Sequence, residues 1–256
     1  MPRYVVLLHG QPGSRADWDG VVSRLPAELR PIVPDRPGYG SNRQAAGGFM
    51  TNGRAVIADL DAAGAERAVV VGHSYGGGAA LAAALLAPKR VEALVLVASV
   101  GPGCLTEWDR LLAAPVVGPV CAVAAWWLTP VFVRALLAGF ERRRGPLASN
   151  EFVGWDVWAH TRHDHGALWR TFLTEQRALV REVDHLVPDA AAIRVPTLVL
   201  ADPRDMVVPI RTARELCALV PRARLELIEG AGHHLPRRAP QAVADAIVAI
   251  ADSLRG

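Results

Sequence analysis

Residues 69–80 read VVVGHSYGGGAA. Three valines, typical of a buried strand, are followed by a glycine, a histidine, one serine, a tyrosine, three further glycines and two alanines. Neither a strand nor a helix favours such a glycine-rich run, because glycine loses the most backbone entropy on folding. The pattern therefore predicts a strand that enters a helix through a tight turn, with Ser74 in the turn.

The turn itself, residues 72–76, has the pattern Gly-x-Ser-x-Gly. In this pattern the serine takes a strained backbone conformation at the tip, and glycines two residues away prevent collisions with the neighbouring strand and helix. The Ser74 hydroxyl would lie at a helix N-terminus, where unpaired N–H groups favour negative charge. We therefore predict that Ser74 is a nucleophile and that the backbone N–H of Tyr75 binds an oxyanion.

A serine nucleophile needs a base, and the base needs an orienting acid; for this turn the expected chain order is serine, acid, histidine. Asp202 and Asp205 both follow an apolar run that ends at residue 201. We predict Asp205 as the acid, with Asp202 as an alternative that could instead cap the turn. His233 and His234 lie in a glycine-containing loop after the last apolar run. We predict His233 as the base, with His234 as the competitor.

The loop after the first apolar run is predicted to supply a second oxyanion donor. It reads His9-Gly10-Gln11-Pro12-Gly13, and its glycines permit close approach to a reacting carbonyl group. Since proline has no N–H group, the predicted donor is the backbone of Gln11. The Gln11 side chain could also contact substrate.

Apolar runs alternate with helical patterns in both terminal parts of the chain. The predicted strands are Tyr4–His9, Pro31–Asp35, Ala68–Gly72, Ala93–Ala98, Pro196–Ala201 and Arg224–Glu229. The predicted helices are Asp17–Leu25, Thr51–Ala63, Tyr75–Ala87, Ile210–Leu219 and Gln241–Leu254. Strands that lack polar alternation are buried on both faces, so we predict an α/β fold with a doubly wound, mostly parallel sheet.

This alternation stops between residues 101 and 194, which hold six of the seven tryptophans. We predict that 101–194 forms a helical cap inserted into a core domain of 1–100 and 195–256. Leu111–Val133 contains no charged residue, which leaves three interpretations: a face packed on the core, the lining of an apolar substrate pocket, or contact with a membrane surface. Prolines within this stretch disfavour one long spanning helix, and membrane contact is the least favoured of the three. The predicted substrate-binding residues are Trp126, Trp127, Trp155 and Trp158.

Composition narrows the possible functions further. A net charge of +3 gives no field suited to nucleic acid, so the expected partner is a small apolar molecule. Three widely spaced cysteines indicate neither a disulfide framework nor a metal site, and the spacing of His160, His163 and His165 fits no standard metal site. We expect no cofactor, no signal peptide and a cytoplasmic location. The oligomeric state stays open, a homodimer included.

Taken together, these motifs resemble those of the α/β-hydrolase superfamily. The similarity covers Tyr4–Val100 and Val195–Leu254. It includes the His-Gly loop, the Gly-x-Ser-x-Gly turn and residues 35–41, Asp-Arg-Pro-Gly-Tyr-Gly-Ser, which are similar to the family's Asp-x-Pro-Gly-x-Gly-x-Ser loop. The family's acid and base contexts, Asp-x-x-Val-Pro and Gly-x-Gly-His, fall on Asp205 and His233. Family members usually carry two strands before the His-Gly loop, so the resemblance implies a sheet with trimmed N-terminal strands.

The resemblance implies a serine hydrolase that forms an acyl-enzyme. The expected activity is carboxylesterase-like, on an apolar ester, or cleavage of a carbon–carbon bond beside a ketone. The scaffold can also host non-hydrolytic chemistry such as cyclisation in secondary metabolism. A non-catalytic ligand-binding protein is a further alternative, but it normally lacks a member of the triad, and none is missing here.

Overall fold

The computed structural model of this protein describes residues 3–124 and 168–255. Its strands are β1 Arg3–Leu8, β2 Leu29–Ile32, β3 Ala68–His73, β4 Val91–Val97, β5 Thr197–Ala201 and β6 Ala223–Leu227. Its α-helices are α1 Asp19–Val22, α2 Phe49–Ala62, α3 Tyr75–Leu86, α4 Glu107–Ala113, α5 Leu168–Asp189, α6 Ile210–Leu219, α7 Leu235–Arg238 and α8 Pro240–Asp252. Residues 117–124 are also helical.

The strands form one sheet in the order β2-β1-β3-β4-β5-β6, and each pair of neighbours is parallel. Consecutive parallel strands require crossover connections, which the intervening helices supply. The predicted α/β fold with a doubly wound sheet is confirmed. Because all these strands are parallel, their carboxyl ends meet at one edge, where α/β proteins place functional groups.

The four central strands of the sheet, β1, β3, β4 and β5, are buried on both faces, and the edge strands β2 and β6 are partly exposed. Side chains such as Leu8 and Val70 join one apolar cluster with helices α2, α3, α5 and α6. The alternate side chains, such as Leu7 and Val71, join a second cluster with α1 and α8. Every residue of β3 is buried, which explains why the strand sequence shows no polar alternation.

The second strand differs from its predicted range. Pro31–Asp35 was the predicted strand, whereas β2 ends at Ile32. Pro31 has no N–H group and is tolerated because β2 lies at the edge of the sheet. The Asp35 side chain is used in the following loop, where its carboxylate accepts the backbone N–H groups of Arg15 at 2.9 Å and Ser41 at 3.0 Å.

The predicted helix Asp17–Leu25 is shorter and divided. A 3₁₀ turn over Arg15–Trp18 precedes α1, which ends at Val22. Ser14 begins the turn, and its backbone N–H donates to the Asp17 carboxylate at 3.2 Å. Trp18 is fully buried against the sheet, so packing rather than helical periodicity determines this segment.

The described residues between β4 and β5 include the helices α4, 117–124 and α5, and they include no strand. Leu179, Val183 and Leu186 of α5 join the same apolar cluster as α3, so this part of α5 packs on the sheet domain. The proposed cap boundaries at 101 and 194 stay a prediction. The predicted substrate-binding residues Trp126, Trp127, Trp155 and Trp158 lie outside the described residues, as do His160, His163 and His165.

The uncharged stretch Leu111–Val133 is long enough to raise the question of a membrane-spanning helix. Within residues 3–124 and 168–255, no helix combines the length and the apolar character that crossing a bilayer requires. Part of the uncharged stretch, from 125 onward, lies beyond these residues.

Candidate active site

Four loops at the carboxyl edge of the sheet carry the predicted site residues. Gln11 follows β1, Ser74 follows β3, Asp205 follows β5 and His233 follows β6. Since β1, β3, β4, β5 and β6 are neighbours in the sheet, these loops converge although the residues are far apart in the chain.

The turn at Ser74 has the strained geometry that the sequence predicts. Ser74 has φ 53° and ψ −119°, a backbone conformation that residues other than glycine rarely adopt. A Cβ atom added at Gly72 would lie 2.2 Å from the carbonyl oxygen of Gly76, and one added at Gly76 would lie 2.4 Å from that of Leu8. The Ser74 N–H donates to the carbonyl oxygen of Val97 at 2.9 Å, so the end of β4 holds the turn in place.

Gly76→Ala should destabilise the protein by about 2 kcal/mol or more, because the added methyl group overlaps rigid backbone of β1. Helix propensity alone would give the opposite sign, since alanine is favoured over glycine within a helix such as α3. Urea unfolding measures the difference. Gly20→Ala is a matched control, because the atoms nearest its added Cβ belong to side chains, those of Pro240 from 3.2 Å and Arg24 at 4.0 Å, and not to backbone. Equal stability of Gly76→Ala and wild type would contradict this explanation of the turn.

Three predicted residues form a continuous hydrogen-bonded chain. Ser74 Oγ lies 3.0 Å from His233 Nε2, and His233 Nδ1 lies 2.8 Å from Asp205 Oδ2. A carboxylate accepts, so Nδ1 carries the proton and Nε2 is free to accept the Ser74 hydroxyl. The second Asp205 oxygen accepts the N–H groups of Val207 at 2.7 Å and Val208 at 3.0 Å, which fixes the carboxylate. The arrangement can deprotonate an alcohol and stabilise the resulting imidazolium.

The two competing residues occupy different positions. Asp202 is fully buried and accepts the backbone N–H groups of Arg204 at 2.7 Å and Gly232 at 2.6 Å. Burial raises the pKa of Asp202, but N–H donors of the surrounding loops outweigh burial and bring this pKa below its ordinary value. Burial, followed by the neighbouring His233, lowers the pKa of His234 to about 4. The structure therefore places Asp205 and His233, not their competitors, in the chain that reaches Ser74.

The two predicted oxyanion donors belong to the loop after β1 and to the first turn of α3. Tyr75 is the first residue of α3, directly after Ser74, so its N–H group belongs to the unpaired first turn of the helix. The Tyr75 ring is buried and its hydroxyl donates to the carbonyl oxygen of Gly47 at 3.3 Å. The Gln11 side chain donates to the carbonyl oxygen of Phe172 in α5 at 2.8 Å. This side chain therefore ties the loop to α5, and the backbone N–H stays the predicted donor.

A buried charge network, which the sequence did not reveal, supports this loop. Arg36 Nε donates to the carbonyl oxygen of His9 and Nη2 to that of Gly10, both at 2.8 Å. The same guanidinium forms a two-pronged ion pair with Glu175 of α5 and contacts Asn52 Oδ1 at 3.0 Å. Burial lowers the pKa of Arg36, but Glu175 together with Tyr39 and Tyr75 outweighs burial, so this pKa lies above its ordinary value and the side chain stays charged. Arg36 thus fixes the two consecutive carbonyl groups that come directly before Gln11.

His9, also missed by the sequence analysis, is a neutral structural histidine. Its Nε2 accepts the backbone N–H of Arg36 at 3.0 Å, so Nε2 is unprotonated, and its Nδ1 lies 2.9 Å from the carbonyl oxygen of Gly10. Burial, and secondly the charge of Arg36, lower the pKa of His9 to about 3. Protonation would break the bond from Arg36 and place two positive charges side by side.

Acid should therefore destabilise the fold through His9. The folded pKa is below the unfolded one, so the unfolded state binds the proton first, and stability falls as pH drops from about 6.5 towards about 3, by about 1.4 kcal/mol per pH unit for this group. We expect the free energy of unfolding of His9→Gln to depend less steeply on pH between 6 and 4 than that of wild type. Parallel slopes for the two proteins would show that His9 titrates normally in the fold.

Within the described residues, no cluster of three or more His, Cys, Asp or Glu side chains is placed to hold a metal ion. Cys104, Cys121 and Cys217 are free thiols. Burial raises the pKa of Cys104 to about 11, so this thiol stays protonated near neutral pH and is a poor nucleophile.

Comparisons with known proteins give the family and the fold. Residues 5–246 match the model of the alpha/beta hydrolase family. A 2-hydroxymuconate semialdehyde hydrolase from Pseudomonas sp. (strain CF600) is 31% identical over 240 residues, which cover 90% of this chain and 80% of that protein. A thermophilic esterase from Thermogutta terrifontis superimposes with a TM-score of 0.75 at 21% identity, over 99% of this chain and 91% of that one. A bromoperoxidase from Bacillus anthracis gives a TM-score of 0.75 at 23% identity, over 98% and 92%. The two solved structures share the fold, and their different names show that the fold alone does not define the reaction.

Proposed function

Because the chain belongs to the alpha/beta hydrolase family, we propose that it hydrolyses a small carbonyl-containing substrate with Ser74 as the nucleophile, His233 as the base and Asp205 as the orienting acid. The observation that carries the proposal is the unbroken contact from Ser74 Oγ to His233 Nε2 and from His233 Nδ1 to Asp205, at 3.0 and 2.8 Å. These three side chains are held by separate loops, so their alignment is not a consequence of local sequence.

In the first half-reaction, His233 Nε2 accepts the Ser74 proton as Oγ attacks the carbonyl carbon. The tetrahedral oxyanion accepts hydrogen bonds from the backbone N–H groups of Tyr75 and Gln11. His233 then gives its proton to the leaving group, and the bond between the carbonyl carbon and the leaving group breaks. Asp205 stabilises the imidazolium that exists between these two proton transfers.

In the second half-reaction, water attacks the acyl-enzyme and gives its proton to His233 Nε2. Collapse of the second oxyanion releases a carboxylic acid and returns the proton to Ser74. The proposed oxyanion loop is pre-organised for both steps, because Arg36 holds the carbonyl groups of His9 and Gly10 in place.

Two substrate classes fit this site. The first is an apolar ester, whose leaving group is an alcohol, as the uncharged stretch at 111–133 and the tryptophans of the inserted segment favour. The second is a carbon–carbon bond beside a ketone, whose leaving group is a carbon acid. The second class is supported by the 31% identical relative named 2-hydroxymuconate semialdehyde hydrolase. Both classes require the same nucleophile, base and oxyanion donors.

Parallel assays can test the proposal and separate the two classes. Purified protein is offered p-nitrophenyl esters from acetate to decanoate and, separately, 2-hydroxymuconate semialdehyde, with Ser74→Ala as the control for background reaction. We expect Ser74-dependent turnover of one class, with a preference for longer acyl chains if the substrate is an apolar ester. Wild-type rates equal to those of Ser74→Ala on every substrate would count against hydrolysis of either class.

A further inference from the structure

The histidine proposed as the base lies on a loop that needs external support. Residues 228–234 contain two glycines with positive φ, Gly230 at 84° and Gly232 at 60°. Such residues give the unfolded and locally opened loop many accessible conformations. The contact between His233 and Asp205 holds the imidazole ring but leaves the backbone on either side of it to be fixed by other groups.

The first support lies just before His233. Asp202, at the end of β5, accepts the Gly232 N–H with Oδ2 at 2.6 Å and the Arg204 N–H with Oδ1 at 2.7 Å. The carboxylate is fully buried. It therefore uses one oxygen to fix its own loop and the other to hold the histidine loop, with a charge-assisted bond in a site without water competition.

The second support holds the backbone on the other side of His233, at its carbonyl group. His73, the residue before Ser74, places Nε2 2.8 Å from the carbonyl oxygen of His233. A carbonyl oxygen only accepts, so His73 Nε2 carries a proton and donates it. The His73 ring is buried, and Gly10 packs against its other nitrogen, since a Cβ added at Gly10 would lie 2.9 Å from Nδ1. Burial, and secondly His233, lower the pKa of His73, so this ring is neutral.

We propose that Asp202 and His73 are positioning residues that clamp the backbone on both sides of His233 and so keep its Nε2 in reach of Ser74. The proposal rests on the proposed function, since it assumes that His233 is the base. His73 belongs to the same turn as the nucleophile, so one short segment carries Ser74 and also holds the base that activates it. A displacement of about 1 Å at a reacting group can cost roughly 100-fold in rate, which sets the expected size of the effect.

The test measures how fast Ser74 reacts with a fluorophosphonate, because this rate depends on the base and not on the identity of the natural substrate. His73→Leu removes the donor at similar size, whereas His73→Gln retains an amide N–H close to the position of Nε2. We expect His73→Leu to lower the maximal labelling rate by roughly 10- to 100-fold with little change in the half-saturating probe concentration. We expect His73→Gln to recover most of this loss.

Asp202→Asn provides a second variant in case His73→Leu does not fold. An amide oxygen can serve only one of the two N–H groups, and the NH₂ group would face the other donor. We expect Ser74 to be labelled more slowly in Asp202→Asn than in wild type. Asp61→Asn is a matched surface control, and its labelling rate should equal that of wild type. Asp61 lies on α2, is exposed and forms an ion pair with Arg90.

The outcomes separate the two proposals. If wild type does not label at all, the proposed function fails. A second outcome is that wild type labels at Ser74, while Asp202→Asn and a folded His73→Leu label as fast as wild type. In that case the proposed function stands and the proposed clamp is overturned. Equal loss in His73→Leu and His73→Gln would also overturn the role of the His73 donor, because the effect would then follow from packing alone.

Discussion

Ser74→Ala is expected to reduce kcat by roughly 10⁴- to 10⁶-fold, with the folded structure intact. The hydroxyl of this residue forms the hydrogen bond to His233, and the turn is held through backbone hydrogen bonds that alanine retains. Steady-state kinetics on the substrate class that wild type turns over in the parallel assays measures the loss. Ser99→Ala is a matched control, because Ser99 is also buried beside this turn and its hydroxyl donates to the carbonyl oxygen of Val100. The control should keep kcat within a few-fold of wild type.

The rate losses caused by substitutions at Ser74 and His233 should not be additive. Ser74 and His233 act as one unit, so His233→Ala should cost about as much as Ser74→Ala, and the double variant should be little worse than either. Losses that multiply in the double variant would mean that the two residues contribute independently, which would contradict the proposed proton transfer from Ser74 Oγ to His233 Nε2.

The largest effect on stability is expected at Glu175. Glu175→Gln should lower the free energy of unfolding by about 3 kcal/mol, because it leaves the fully buried Arg36 guanidinium without its counter-charge. Tyr39, whose hydroxyl donates to Glu175 at 2.6 Å, keeps an acceptor in the variant, so the loss is mainly one of charge. Urea unfolding at neutral pH measures this difference.

Glu182→Gln is the matched control for this experiment, since it lies on the same helix and its carboxylate is only partly buried. Glu182 accepts the Phe49 N–H at the start of α2 at 2.8 Å, a bond that an amide oxygen can also accept. We expect this variant to lose less than about 1 kcal/mol. If the two variants lose the same stability, the buried pair does not need its charge, and the explanation of how the oxyanion loop is fixed has to be revised.

The features that sequence predicts well are those with local causes. The central strands β1, β3, β4 and β5 form where short apolar runs are buried on both faces, whereas the edge strands β2 and β6 are partly exposed. The turn at Ser74 forms because a side chain at Gly72 or Gly76 would overlap backbone. The triad order follows from where parallel strands place their loops. Spacing also distinguished Asp205 from Asp202, and the contact between Asp205 and His233 agrees with that choice.

The features that sequence missed depend on distant partners. Arg36 and Glu175 are 139 residues apart, and nothing near either residue indicates that they meet. Asp202 reads as a turn residue, and only the fold shows that it reaches Gly232. The hydrogen bond from the Gln11 side chain to α5 could not be predicted for the same reason, since its acceptor, Phe172, lies 161 residues along the chain.

The most direct test of the central claim is the site at which a fluorophosphonate modifies the protein. Peptide mapping by mass spectrometry should find one adduct, on Ser74, and none in Ser74→Ala, with slower modification in His233→Ala. An adduct on any other residue, or an unmodified wild-type protein under conditions that label a known serine hydrolase, would contradict the proposal that Ser74 is the activated nucleophile.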